Sequence, residues 1–96
     1  MTRWRKSIVG GFACLDGYGK ALERREGSAF ALYSYGTRVC TLDAGTLKLT
    51  RLWDGYSATT MRHVNLFLSA HGRWPVRKPA WDKMPIGVAQ DTIKLA

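Results

Sequence analysis

At Asp54-Gly55-Tyr56-Ser57 the apolar residues of this chain change their period, and that change restricts the fold more than any other feature. Upstream, Thr37-Arg38-Val39-Cys40-Thr41-Leu42-Asp43 alternates branched and polar side chains as a half-buried strand does. After a tight Ala44-Gly45 connection, Thr46-Leu47-Lys48-Leu49-Thr50-Arg51-Leu52-Trp53 puts Leu47, Leu49 and Trp53 on one face. Downstream, at about 100° per residue, Met61, Val64, Phe67, Leu68 and His71 share one stripe, with Arg62, Asn65 and Ser69 opposite. Ser57 is placed to cap a helix running from about Ala58 to His71, and Gly72 to end it in a left-handed turn. Such a helix does not persist alone, so it must lay its stripe on the apolar face of a sheet. The expected fold is α+β: an antiparallel three- or four-stranded meander packed against one amphipathic helix.

The 96 residues allow one small domain with three zones. Residues 1–28 form a basic head with a strand over Ser7 to Leu15, a glycine-rich turn at Asp16-Gly17-Tyr18-Gly19 and a charged stretch from Lys20 to Glu26. Residues 29–72 are the core, opening on the aromatic-rich Ala29-Phe30-Ala31-Leu32-Tyr33-Ser34-Tyr35 and its turn at Gly36. Residues 73–96 hold all three prolines, a density that argues against regular helix. An extended Trp/Pro-rich segment is expected there, packed over the domain through Trp74 and Trp81 or loose, with one short strand near the end.

No window reaches the roughly 18 apolar residues of a membrane span. The positive charge ahead of Ile8 and Val9 imitates a signal peptide, but Gly10-Gly11 interrupts the apolar part and Asp16 ends it. Cys14 and Cys40 are too few for a disulfide scaffold, and reduced thiols in a cytoplasm are expected, one bridge being the alternative. With His63 and His71 they make a zinc set on paper only: the cysteines are far apart, and the histidines stand eight positions apart rather than three to five. No cofactor is expected. Cys40 in a strand reads as a small hydrophobe rather than a nucleophile, and neither phosphate-cradling glycine pattern is present. The chain is therefore read as non-enzymatic.

The basic residues remain. Fifteen Lys and Arg against 7 Asp and Glu leave a formal charge of +8. Arg3, Trp4, Arg5 and Lys6 form one cluster; Arg73, Trp74, Arg77, Lys78, Trp81 and Lys83 form another, and Arg62 extends the patch from the helix. Cations interleaved with indoles suit nucleic acid, the cations neutralising phosphates while the rings stack on bases. The same tryptophans also suit anchors that hold floppy ends on a small core. His63, beside Ser57, Thr59 and Thr60 in the first turns of the helix, is a candidate anion or partner contact; plain helix capping is the competing reading.

Ser34-Tyr35-Gly36-Thr37-Arg38-Val39-Cys40-Thr41-Leu42 is similar to a strand-turn-strand signature S-Y-x-T-x-[IV]-A-T-[IL]. Tyr56-Ser57-Ala58-Thr59-Thr60-Met61-Arg62-His63 is similar to a helix start of the form Y-S-x-T-T-x-[KR]-H. Together they resemble an uncharacterised family of short bacteriophage and mobile-element proteins, with Cys40 standing where a small residue is expected. The resemblance implies a mobile-element setting, and small proteins of such elements often block host machinery. The leading expectation is a cytoplasmic accessory protein that binds a host nucleoprotein complex, most concretely an anti-CRISPR-type inhibitor of a defence nuclease. The alternatives are a direct DNA- or RNA-binding protein, and a structural module whose tail swaps onto a neighbour to make a homodimer.

Overall fold

The structure is a computed structural model that describes residues 8–9 and 11–92. Arg3, Trp4, Arg5 and Lys6, one half of the expected basic surface, lie outside the described residues. The chain runs β1 (Ile8–Val9), β2 (Phe12–Cys14), β3 (Ala21–Glu26), β4 (Ala29–Ser34), β5 (Thr37–Asp43), β6 (Leu49–Arg51), α1 (Ala58–Ala70), α2 (Lys78–Lys83) and β7 (Ala89–Gln90). The strands form one sheet in chain order with every neighbouring pair antiparallel, so the α+β class and the meander hold. Among the described residues the sheet has seven strands, not three or four.

The added strands have physical reasons. The segment expected as one strand over Ser7 to Leu15 is a hairpin, because the chain reverses at Gly11 between the registers Val9↔Phe12 and Ile8↔Ala13. The charged stretch from Lys20 to Glu26 is β3, whose six residues pair along the whole of β4. It carries no apolar alternation because one of its inward residues is a carboxylate: Glu23 is buried and meets His71 at the C-cap of α1. The third strand of the core is shorter than expected, only Leu49–Arg51, since Leu47 sits in a turn at φ 60.

Leu32, Cys40, Leu42 and Leu49 from the sheet meet Met61, Val64, Phe67 and Leu68 from α1 in the core. Ser57 caps α1 with its hydroxyl accepting from the Thr60 N–H at 3.0 Å. His71 is the C-cap, with Gly72 following at φ 73, so both expected ends are in place. Asn65, expected on the outer side of the helix, is half-buried and binds Val76 twice, its Oδ1 accepting from the Val76 N–H and its Nδ2 donating to the Val76 carbonyl.

The tail departs most from expectation. Residues 78–83 are helical although Pro79 lies among them, because proline in the first turn removes an N–H that has no intrahelical partner anyway. Trp81 of this helix is completely buried. Its indole N–H donates to the Gly55 carbonyl, and the Arg51 guanidinium lies 4.6 Å from its ring. Arg51 is itself buried, donating to the carbonyls of Trp53, Gly55 and Trp81, and so fastens the tail to β6. The tail thus forms a helix and buries Trp81 on its own domain, while Trp74 stays exposed. Among the described residues, no helix is long and apolar enough to cross a membrane.

Candidate functional site

The loop between β2 and β3 is organised by its second residue, Asp16. Asp16 Oδ1 accepts from the backbone N–H groups of Tyr18 and Gly19 at 3.0 and 3.1 Å, and from the Cys14 thiol at 3.3 Å. Burial alone would raise the Asp16 carboxyl, but the Tyr18 N–H foremost, then the Cys14 thiol and the Ala21 and Lys20 N–H groups, outweigh it and hold the group below the ordinary carboxylate range. The β4–β5 turn lies alongside, because the Tyr35 N–H donates to the Lys20 carbonyl at 2.9 Å. Tyr35 and Gly36 both have positive φ, 50 and 82, as a two-residue turn between strands of right-handed twist requires. For a tyrosine this conformation is strained, by about 1–3 kcal/mol. Tyr35 nevertheless sits there, with its ring largely in solvent at 59% exposure.

These two loops and the first half of α1 enclose an open cleft of about 690 Å³. Tyr18, 83% exposed, and Tyr35 supply aromatic surface; Lys20 and Arg62 supply charge. The Lys20 ammonium lies 5.8 Å from the centre of the Tyr35 ring. Leu15, Thr59 and the half-exposed Leu66 line the rest, and Asp16 and His63 lie at the floor.

His63 is held from behind. Its Nδ1 is 2.8 Å from Ser34 Oγ, which is in turn 3.2 Å from Thr60 Oγ1, and all three residues are buried. Its Nε2 lies 3.8 Å from Asp16 Oδ2, and the Tyr35 ring packs over it at 5.6 Å. Burial pushes the His63 pKa down, with the neighbouring Arg62 acting the same way and Asp16 only partly opposing, so the ring is neutral at neutral pH. Asp16, His63 and Ser34 superficially resemble a hydrolytic triad, but the serine is the innermost member, 2% exposed and behind the imidazole. It has no route to a substrate carbonyl in the cleft.

The residues anticipated from the sequence divide accordingly. Arg62 lies exposed at the cleft rim, whereas His63 is the cleft floor rather than an exposed contact. Ser57 and Thr60 serve capping and the buried hydroxyl chain, the competing reading for that helix start. Arg73 donates to Thr92 Oγ1 at 3.1 Å. Lys78 pairs with Asp82 at 2.6 Å and lies over the Tyr56 ring. Trp74 and Arg77 are exposed, but Trp81 is withdrawn into the core and offers nothing to a partner. The tail cluster is thus not one basic-aromatic face: apolar burial claims one of its indoles.

Asp16, Tyr18, Lys20 and Tyr35 were absent from that set. The one local signal was Asp16-Gly17-Tyr18-Gly19, a sequence suited to a turn in which the aspartate accepts from the next backbone N–H groups. Both cysteines are free thiols; Cys40 is completely buried, and burial pushes its thiol far above the ordinary range. Among the described residues no three His, Cys, Asp or Glu side chains converge as metal ligands. The model of a family of unknown function (DUF8033) matches residues 3–83, and the chain belongs to that family. Neither a curated protein nor a solved structure matches it.

Proposed function

We propose that this chain is a non-enzymatic module that binds single-stranded nucleic acid in the cleft between the β2–β3 loop, the β4–β5 turn and α1. Its family brings no assigned activity, so the reading rests on the site. One observation carries it: Tyr18 and Tyr35, the first 83% and the second 59% exposed, open on a cleft that also holds Lys20 and Arg62. Large aromatic rings left in solvent at the mouth of a cleft offer faces on which bases stack, and flanking cations meet the phosphates between them. The strained backbone at Tyr35 supports the same view, since such strain persists where the surroundings over-determine it and clusters at binding sites. The formal charge of +8 favours approach to any polyanion.

The non-enzymatic part is supported by the placement of the nucleophiles: Ser34 lies behind His63, and Cys40 is sealed in the core as a thiol. The resemblance to mobile-element proteins adds a finer proposal. There the strand belongs to a nucleic-acid-handling complex in a bacterial cytoplasm, and binding inhibits a defence nuclease of the CRISPR type. Co-purification with such a complex that is lost on Tyr18→Ala supports the finer proposal; co-purification indifferent to Tyr18→Ala counts against it.

The test of the main reading is binding to a fluorescent oligothymidylate and to a duplex of equal length across a salt series. Preference for the single strand is expected, with an affinity that falls as salt rises. Tyr18→Ala and Tyr35→Ala are each expected to weaken it by about 1–3 kcal/mol, and Tyr35→Phe to restore it. Affinity indifferent to both tyrosines, or higher for the duplex, contradicts the reading.

A further inference from the structure

We propose that Asp16 and His63 form an acceptor and donor pair that reads the Watson–Crick edge of an unpaired base held in the cleft, an inference that rests on the single-strand reading above. Asp16 Oδ1 is occupied by the Tyr18 and Gly19 N–H groups and the Cys14 thiol, and although the Lys20 and Ala21 N–H groups also help hold the carboxylate, no hydrogen bond among the described residues falls on Oδ2. His63 Nδ1 is occupied by Ser34, which leaves Nε2. The two remaining atoms are 3.8 Å apart, beyond hydrogen-bond reach, so neither satisfies the other. Their side chains are only 9% and 6% exposed. Yet among the described residues every fully buried side-chain nitrogen or oxygen has a hydrogen-bond partner. Atoms without one are therefore open to solvent, and here solvent is the cleft that both residues line.

The proton positions follow from the neighbours. A carboxylate beside Nε2 favours the tautomer that carries its proton there, with Nδ1 accepting from the Ser34 hydroxyl. The floor then presents one acceptor, Asp16 Oδ2, beside one donor, His63 Nε2–H. Every base places an N–H next to an acceptor on its Watson–Crick edge: an imino N–H beside a carbonyl in thymine, uracil and guanine, an amino N–H beside a ring nitrogen in adenine and cytosine. The pair therefore fits any of them, provided the base is not already paired. Both reading atoms are pre-positioned, the aspartate by its loop and the imidazole by Ser34 and Thr60, so little ordering is needed on binding. The Tyr35 ring, packed over His63 at 5.6 Å, stands where an entering base meets a π face as well as the floor.

The test compares oligothymidylate with the same oligomer built from N3-methylthymine, which keeps the phosphates and the π face but replaces the edge N–H by a methyl group. Wild-type protein is expected to bind the methylated strand about tenfold more weakly, the scale of losing a charge-assisted hydrogen bond. Asp16→Asn keeps an oxygen for the loop N–H groups and exchanges the free acceptor for a donor. It is expected to lower oligothymidylate affinity to the methylated level and to erase the difference between the strands. Equal wild-type affinity for both strands, still dependent on Tyr18, overturns the reading pair while leaving the cleft as a binding site. Binding to neither strand overturns the cleft reading itself. If Asp16→Asn does not fold, the wild-type comparison alone decides.

Discussion

His63 within α1 and His71 at its C-cap each face a carboxylate, one from the β2–β3 loop and the other from β3, and they do different things. His71, at the helix C-cap, bonds Glu23 through Nε2 at 2.9 Å, its ring 4.3 Å from Phe30 and 5.3 Å from Phe67. That pair is closed, and it clamps the end of the helix to β3. His63, two turns earlier, stands 3.8 Å from Asp16 and is tied instead to Ser34, beneath a cleft rather than beneath phenylalanines. A histidine and a carboxylate thus make a strut where apolar neighbours press them together, and an open pair where a loop of its own holds the carboxylate. A polar pair at an interface between helix and sheet becomes a candidate reader only when its atoms are fixed by third parties and not by each other.

Breaking the strut gives the largest effect. Glu23→Ala leaves a largely buried His71 without that carboxylate and is expected to cost about 3 kcal/mol in urea denaturation, with any surviving folded protein binding oligothymidylate normally. Ser34→Ala is next: it removes the partner of His63 Nδ1 and of Thr60, with an expected loss of about 2 kcal/mol of stability and a weaker preference for the unmethylated strand. Tyr18→Ala does the reverse of Glu23→Ala. Its ring is almost wholly in solvent, so stability is expected to change by less than about 0.5 kcal/mol while single-strand affinity falls. Should Glu23→Ala abolish binding in protein that is demonstrably folded, or Tyr18→Ala unfold the domain, the division between strut and reader fails.

The smallest effect is on pH dependence. Burial holds the folded His63 pKa below its ordinary 6.5, so just under that value the unfolded chain binds more protons than the folded one. Stability therefore rises with pH through that window and falls on acidification, and His63→Gln is expected to flatten it. A separate acid limb belongs to the outer face of the sheet. There the Tyr33 hydroxyl, with Arg24 and Arg38, overcomes burial and pushes the Glu26 carboxyl from 4.5 down to about 2. Its contribution is complete above 4.5 and is lost as pH falls toward 2, and the His63 variant should keep it. An unchanged slope near pH 6 in His63→Gln would show that another group titrates there.

The parts of this molecule that could be read from the chain are those whose causes are local. Ser57 and Gly72 announce α1 because a cap needs only the next few residues, and the stripe from Met61 to Leu68 needs only a period. β3 was hidden because Glu23 reads as solvent-facing until His71, 48 positions away, is known to meet it. Trp74 and Trp81 look alike in sequence, each near a proline and basic residues. The buried Arg51 of β6, the Gly55 carbonyl and the core around them take in Trp81 and leave Trp74 68% exposed. The cleft was hidden for the same reason: Asp16 and His63 are assembled by the meander, and the turn residues Tyr18 and Tyr35 acquire their meaning from what lies beneath them.

The central claim is that the cleft, not the basic tail, receives the nucleic acid. Backbone amide chemical shifts of the labelled protein, followed while oligothymidylate is added, test it most directly. The account predicts perturbations concentrated on residues 15–20, Tyr35 and the α1 turns from Thr59 to Leu66, with Trp74, Arg77 and Lys83 little changed. Perturbations centred on Trp74 and its neighbours, with the cleft silent, would contradict it.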